Sequence, residues 1–107
     1  MYMIRRAVKA KPGKVWEVAN QLSKICRAYE EQGRNKAQVY VGGWGLPGTD
    51  ETVYAEWTQE RIEPIAYSKV PKSVFTDHDK MAEMMTDYTI EFYEVVTPEK
   101  LQERDLS

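Results

Sequence analysis

The apolar residues of this chain change their spacing in a fixed order. They recur at alternate residues, then every third or fourth, then at alternate residues in two successive runs, then every third or fourth, then alternately again. A period of two marks a half-buried strand, and a period near 3.6 marks an amphipathic helix. The order therefore reads strand–helix–strand, strand–helix–strand. Spread over 107 residues it is one small domain, with the helices carrying the chain between strands.

The first strand spans residues 2–9, with Tyr2, Ile4 and Val8 on one parity and Met3, Arg5 and Ala7 on the other. Lys11-Pro12-Gly13-Lys14 breaks it. A helix over 14–32 follows, with Val15, Val18, Ala19, Leu22, Ile25, Cys26 and Tyr29 forming its stripe and Gly33 suited to its end. A second strand over 37–44 and a third over 51–58 flank the turn Gly45-Leu46-Pro47-Gly48-Thr49-Asp50, which makes them an antiparallel hairpin. Pro64 and Pro71 forbid one long helix after it, so a short helix over 59–67 and an irregular segment are expected. The next helix opens at Thr76 or Asp77 as N-cap, with Met81, Met84, Met85 and Tyr88 near its inner stripe. The fourth strand covers 88–96, with Ile90 and Phe92 opposed to Thr89, Glu91 and Tyr93. Thr97-Pro98-Glu99 has the signature of a further short helix. The domain is accordingly placed at residues 1–96, with 97–107 as a tail or short helix.

This order is the split βαβ, or ferredoxin-like, pattern of an α+β fold: a four-stranded antiparallel sheet with helices on one face. If the aliphatic parity (Val39, Val41, Val53, Ala55, Ile90, Phe92) packs under the helices, the other parity carries Gln38, Tyr40, Trp44, Tyr54, Glu56, Glu91 and Tyr93. Such an aromatic face is larger than a soluble monomer ordinarily leaves wet. Burying its rings is worth several kcal/mol before docking costs, and the simplest cover is the same face of a second copy. A homodimer is therefore expected.

Composition bounds the function classes. At 42% hydrophobic and 30% charged, the chain is too apolar for a disordered tail and too charged for a membrane protein. No apolar run approaches a spanning length, and the first residues lack the order of a signal peptide. Cys26 is the single cysteine, which excludes an internal disulfide and a multi-cysteine metal site and points to a reducing, cytoplasmic compartment. The formal charge of -2 offers no bulk attraction to nucleic acid or anionic membrane, although the N-terminal half is net basic and the C-terminal half net acidic.

The stretch Ile4-Arg5-Arg6-Ala7-Val8-Lys9-Ala10-Lys11-Pro12-Gly13-Lys14-Val15 resembles the strand–Lys-Pro-Gly-Lys–helix opening of dimeric α/β-barrel proteins, including the NIPSNAP-like and antibiotic-biosynthesis-monooxygenase-like groups. Val53-Tyr54-Ala55-Glu56-Trp57 is similar to their third strand, and the aromatic segment 88–96 to their fourth. The resemblance implies two sheets closing one barrel about a dimer axis, with a small-molecule cavity in each protomer. Its members include cofactor-independent oxygenases, haem-degrading enzymes and lactone isomerases. The haem-degrading members use an Asn on the first strand together with a Trp and a His. This chain has Arg5 and Arg6 there, which speaks against haem degradation although Trp57 and His78 are present.

The candidate catalytic residues are His78, the only histidine and a group that titrates near neutrality, and Tyr54. The candidate ligand-binding residues are Arg5, Arg6, Tyr40, Trp44, Glu56, Trp57 and Tyr93. Rigid rings with hydroxyl tips wall ligand cavities, and an arginine steadies a carboxylate or enolate; one of Arg5 and Arg6 must face the aromatic side, beside Glu56 and Glu91. A cavity is expected between the helices and that face. Neighbouring residues on a helix point apart, so Asp77-His78-Asp79 is a poor metal cluster. The residues call for no metal and no cofactor. The expected partners are a second copy of the chain and a small hydrophobic or aromatic ligand, with no nucleic acid and no membrane. The expected activity is cofactor-independent oxygenation or isomerisation of a small aromatic or polyketide-like substrate, and the alternative is a non-catalytic binding or assembly module.

Overall fold

The computed structural model describes residues 1–63 and 69–106. In chain order the elements are β1 (Tyr2–Ala10), α1 (Val15–Glu31), β2 (Gln38–Gly42), β3 (Thr52–Gln59), α2 (Lys72–Ala82), β4 (Met85–Glu94) and α3 (Pro98–Glu103). The sheet order is β2-β3-β1-β4, and every neighbouring pair is antiparallel. This is the α+β, ferredoxin-like architecture that the spacing predicts.

Register settles which side chains share a face. Arg5 stands opposite Glu56 on β3 and Glu91 on β4, whereas Arg6 stands opposite Ala55 and Ile90. Successive side chains on a strand alternate, so the two arginines leave the sheet on opposite sides. Arg6 joins Ile4, Val8, Val53, Ala55 and Trp57 on the helix side; Arg5 joins Tyr40, Tyr54, Glu56, Glu91 and Tyr93 on the open side. The core lies between β1, β3 and α1, where Ile4, Val8, Val53, Val18, Leu22 and Ile25 are all but fully buried. Cys26 is buried among them, as a small hydrophobe on the α1 stripe.

Several boundaries differ from the sequence expectation, each for a local reason. β2 ends at Gly42, so Trp44 is not on the sheet but in the turn, 51% exposed. Gly43 ends the strand: its φ is +84°, and a Cβ there would meet the backbone carbon of Asp50 at 2.4 Å. α2 starts at Lys72 rather than at Thr76, with extended Pro71 as its N-cap and the Pro71 carbonyl accepting from Val74 N–H at 3.0 Å. Pro71 thus begins this helix instead of interrupting one, and Thr76 and Asp77 lie inside it without capping it. β4 begins at Met85, which pairs with Ala10, so Met84 and Met85 are not on the α2 stripe. The short helix expected over 59–67 is not seen at 59–63, where Gln59 closes β3 and irregular chain follows; 64–67 fall outside the described residues. α3 forms as its signature predicts, with the Thr97 hydroxyl accepting from Lys100 N–H at 3.2 Å.

α2 packs chiefly on α1 and touches β4 little. Ile90 and Phe92 do point to the helix side, but they are not covered: they remain 40% and 49% exposed.

Candidate functional site

The uncovered stretch of β4 is the floor of a cavity, and the end of α1 is its rim. α1 closes through Gly33, whose φ of +103° is open to glycine and strained for other residues. Gly33 N–H donates to the Glu30 carbonyl at 3.0 Å and Arg34 N–H to the Tyr29 carbonyl at 3.3 Å. These are the two bonds of a Schellman ending, which lays the second residue past the cap over the third residue before it. That contact is usually apolar. Here the Arg34 guanidinium fills it, 5.2 Å from the centre of the Tyr29 ring.

Arg34 also lies 4.0 Å from the centre of the Trp57 indole. The indole is fixed by its Nε1–H, which donates to Gln59 Oε1 at 2.8 Å. Arg6 approaches the same indole at 5.9 Å, Tyr29 at 6.0 Å and Tyr88 at 5.8 Å. Two guanidiniums therefore share one aromatic wall, at distances where ring faces attract cations. Between them and Ile4, Ile90 and Phe92 is a cavity of about 800 Å³, open to solvent. That is the size of a small-molecule site, here with apolar walls interrupted by Gln32, Gln59, Glu63 and Lys69 beside the two arginines.

Glu30 secures the turn that carries Arg34. It accepts from Ala37 N–H at 2.9 Å and from Arg27, and sits 3.7 Å from Arg34 Nη2. Burial works against its charge, but the Ala37 amide, Arg27 and Arg34 together hold its carboxyl below the usual carboxylate range.

The open face is a different assembly. Arg5 Nε donates to Glu91 Oε1 at 2.7 Å, and the Tyr93 hydroxyl donates to the same oxygen at 2.8 Å. Tyr40 donates to Glu56 at 3.1 Å and stacks on Tyr54 with ring centres 5.1 Å apart; Arg5 lies 5.0 Å over Tyr54. The Arg5 and Tyr93 hydrogen bonds hold Glu91 ionised to lower pH than an ordinary glutamate, and the Glu91 bond raises Arg5 and Tyr93. Burial, then the Glu56 bond, raises Tyr40.

The residues singled out from sequence thus separate. Arg5, Tyr40, Tyr54, Glu56 and Tyr93 meet on the open face; Arg6 and Trp57 meet in the cavity on the other side of the sheet. The cavity walls are therefore Tyr29, Trp57 and Phe92, and not the tyrosine face that was expected to border it. His78, on α2, makes an edge contact with Tyr88 at 6.3 Å between ring centres and does not line the cavity. It is across the sheet from Tyr54. Arg34 and Tyr29 were not among the candidates. The available signal was Gly33: a glycine closing a helix puts the next residue over the last turn.

Among the described residues no group of three or more His, Cys, Asp or Glu side chains is placed to hold a metal ion, and no helix is long and apolar enough to cross a membrane.

No family profile and no curated protein matches the chain. Solved structures do match in fold. A candidate antibiotic biosynthesis monooxygenase from Deinococcus radiodurans superposes with a TM-score of 0.64 at 13% identity, over 91% of this chain and 94% of that one. A dimeric protein of unknown function and ferredoxin-like fold from Bacteroides fragilis gives 0.61 at 14%, over 88% and 95%. An uncharacterised NIPSNAP domain protein from Burkholderia xenovorans gives 0.60 at 16%, over 92% and 97%. The chain shares the fold of the antibiotic-biosynthesis-monooxygenase-like and NIPSNAP-like proteins that its sequence resembles.

Proposed function

We propose that this chain acts as a homodimeric α/β barrel that takes a small, flat, largely apolar molecule into the cavity between the end of α1 and the sheet. The observation that carries the reading is the cavity itself: about 800 Å³, floored by Ile90 and Phe92 and walled by Trp57 and Tyr29. Rigid rings and branched aliphatics favour an aromatic or polyketide-like ligand. The reaction class proposed is cofactor-independent oxygenation or isomerisation of such a substrate; one fold neighbour is named as a candidate antibiotic biosynthesis monooxygenase. The proton carrier would come from the cavity wall, where Tyr29 and Glu63 stand, since His78 and Tyr54 lie on opposite sides of the sheet. That separation also favours the second reading, a binding module without turnover.

Dimerisation is proposed through the open face. Its polar tips are already paired within the face, Arg5 and Tyr93 with Glu91, and Tyr40 with Glu56, so a second copy can cover the rings without stranding those groups. One fold neighbour is described as dimeric.

A thermal-shift screen of flat aromatic compounds tests the cavity, and sedimentation equilibrium tests the dimer. The expected results are compounds that raise Tm, a smaller rise in Ile90→Trp, whose indole intrudes on the cavity floor, and a particle of twice the 12.5 kDa chain mass. A screen with no stabilising compound, or hits indifferent to Ile90→Trp, overturns the cavity reading. A monomer at micromolar concentration overturns the dimer. Conversion of a bound compound to product separates the enzyme from the binding module.

A further inference from the structure

We infer that the cavity selects ligands bearing a carboxylate, and that Arg6 and Arg34 are the residues that hold it. The inference rests on the proposed reading of the cavity as a small-molecule site and adds the chemical class of the ligand.

The two guanidiniums on the cavity wall carry it. Arg6 and Arg34 both line the cavity, and Arg6 Nε, Arg34 Nε and Arg34 Nη2 are occluded with no hydrogen-bond partner among the described residues, which leaves the remaining Nη groups to meet a ligand. Buried polar atoms in folded proteins are nearly always satisfied, and donors on a charged group are the costliest to strand. None of the described residues satisfies these. Among the described residues Arg6 has no ion-pair partner, and its guanidinium lies near the rings of Tyr29, Trp57 and Tyr88. Glu30 is committed to the Ala37 amide and Arg27, and it reaches Arg34 only at 3.7 Å. Glu63, the one carboxylate on the described wall, is paired with Arg61 at 3.8 Å. Residues 64–68 contain no acid. With Lys69 also on the wall, the three cations Arg6, Arg34 and Lys69 outnumber Glu63 on the wall and Glu30 behind Arg34 among the described residues.

The geometry suits a carboxylate on an apolar body. A ring that takes up the face of a guanidinium leaves its N–H edge free, and that edge fits a carboxylate through two parallel hydrogen bonds. Beyond the arginines the floor is Ile4, Ile90 and Phe92, which offers apolar contact to the body of such an acid. An aromatic acid matches both ends.

The test is a pair of probes of the same shape, naphthalene carboxylate and neutral naphthalene methanol. Each is titrated into the full chain by ¹H–¹⁵N NMR, following the Trp57 indole N–H assigned with Trp57→Phe. The acid is expected to bind about tenfold or more tighter than the alcohol, the scale of a charge-assisted hydrogen bond. Arg6→Gln and Arg34→Gln, checked for native amide dispersion, are each expected to shrink that preference. If the unmodified chain binds acid and alcohol equally, the carboxylate preference is wrong and the cavity reading stands. If it prefers the acid and both arginine variants keep the full preference, the assignment to Arg6 and Arg34 is wrong. If neither probe shifts the Trp57 signal, the cavity reading falls, and this inference with it. The first comparison uses only unmodified protein, so it holds even if an arginine variant does not fold.

Discussion

Gly33 and Gly43 provide a matched pair of backbone perturbations, one of which bears on the cavity. Both hold a positive φ, +103° and +84°. They differ in the room around them. A Cβ on Gly33 would meet nothing within 4 Å, whereas on Gly43 it would meet the Asp50 backbone carbon at 2.4 Å, the Asp50 carbonyl oxygen at 2.5 Å and Glu51 N at 2.6 Å. Gly33→Ala should therefore cost only the left-handed conformation, about 1–2 kcal/mol. Gly43→Ala carries that cost and must also displace backbone, which brings the loss to about 2–5 kcal/mol. Urea denaturation followed by circular dichroism measures both, read as a lower midpoint at unchanged slope. Because the Schellman ending lays Arg34 against Tyr29 and Trp57, Gly33→Ala should also move the Trp57 indole signal, and Gly43→Ala should not. Equal losses in the two variants, or a neutral Gly33→Ala, would refute this account of how α1 ends.

Two further perturbations examine the packing and the charge. Leu22→Ala, at a fully buried α1 position, should lose about 2–5 kcal/mol. Ile90→Ala should lose well under half as much in the same urea assay, because α2 leaves Ile90 40% exposed; equal losses would mean that β4 is covered. Glu30 titrates below its ordinary 4.5 in the folded chain, so its contribution is present above that pH and disappears as pH falls through the lower folded value. The stability gap between the unmodified chain and Glu30→Gln should accordingly be constant near neutrality and close on acidification below 4.5. A gap that persists unchanged at the acid end would show that the carboxylate charge is not what matters.

Strand parity was the most legible part of this molecule. Ile4 and Val8, Val53 and Ala55, and Tyr40 and Tyr54 each fall on the side that period-two alternation assigns. The choice between Arg5 and Arg6 was not legible from β1 alone, because adjacent arginines look alike until the register places one beside Glu91 and the other beside Ile90. The cavity was hidden for a tertiary reason. Pro71 reads as a breaker, and nothing local says that the helix it starts leans on α1 and leaves Ile90 and Phe92 uncovered. Trp44 was misplaced because Gly42-Gly43 looks like tolerated strand glycine, and the close approach of Asp50 becomes visible only once the hairpin is closed. Tyr29 fits the α1 stripe and reads as core; its ring is a cavity wall because Gly33 brings Arg34 back over it.

The decisive question is which side of the sheet receives a ligand. Intermolecular nuclear Overhauser effects between a bound aromatic compound and methyl-labelled protein answer that directly. Ile4 and Ile90 line the cavity, while Met3 and Ala7 sit on the opposite parity among the tyrosines. Cross-peaks from the compound to the Ile4 and Ile90 methyls, with none to Met3 or Ala7, are the predicted result. Cross-peaks to Met3 and Ala7 alone would contradict it and move the site to the tyrosine face.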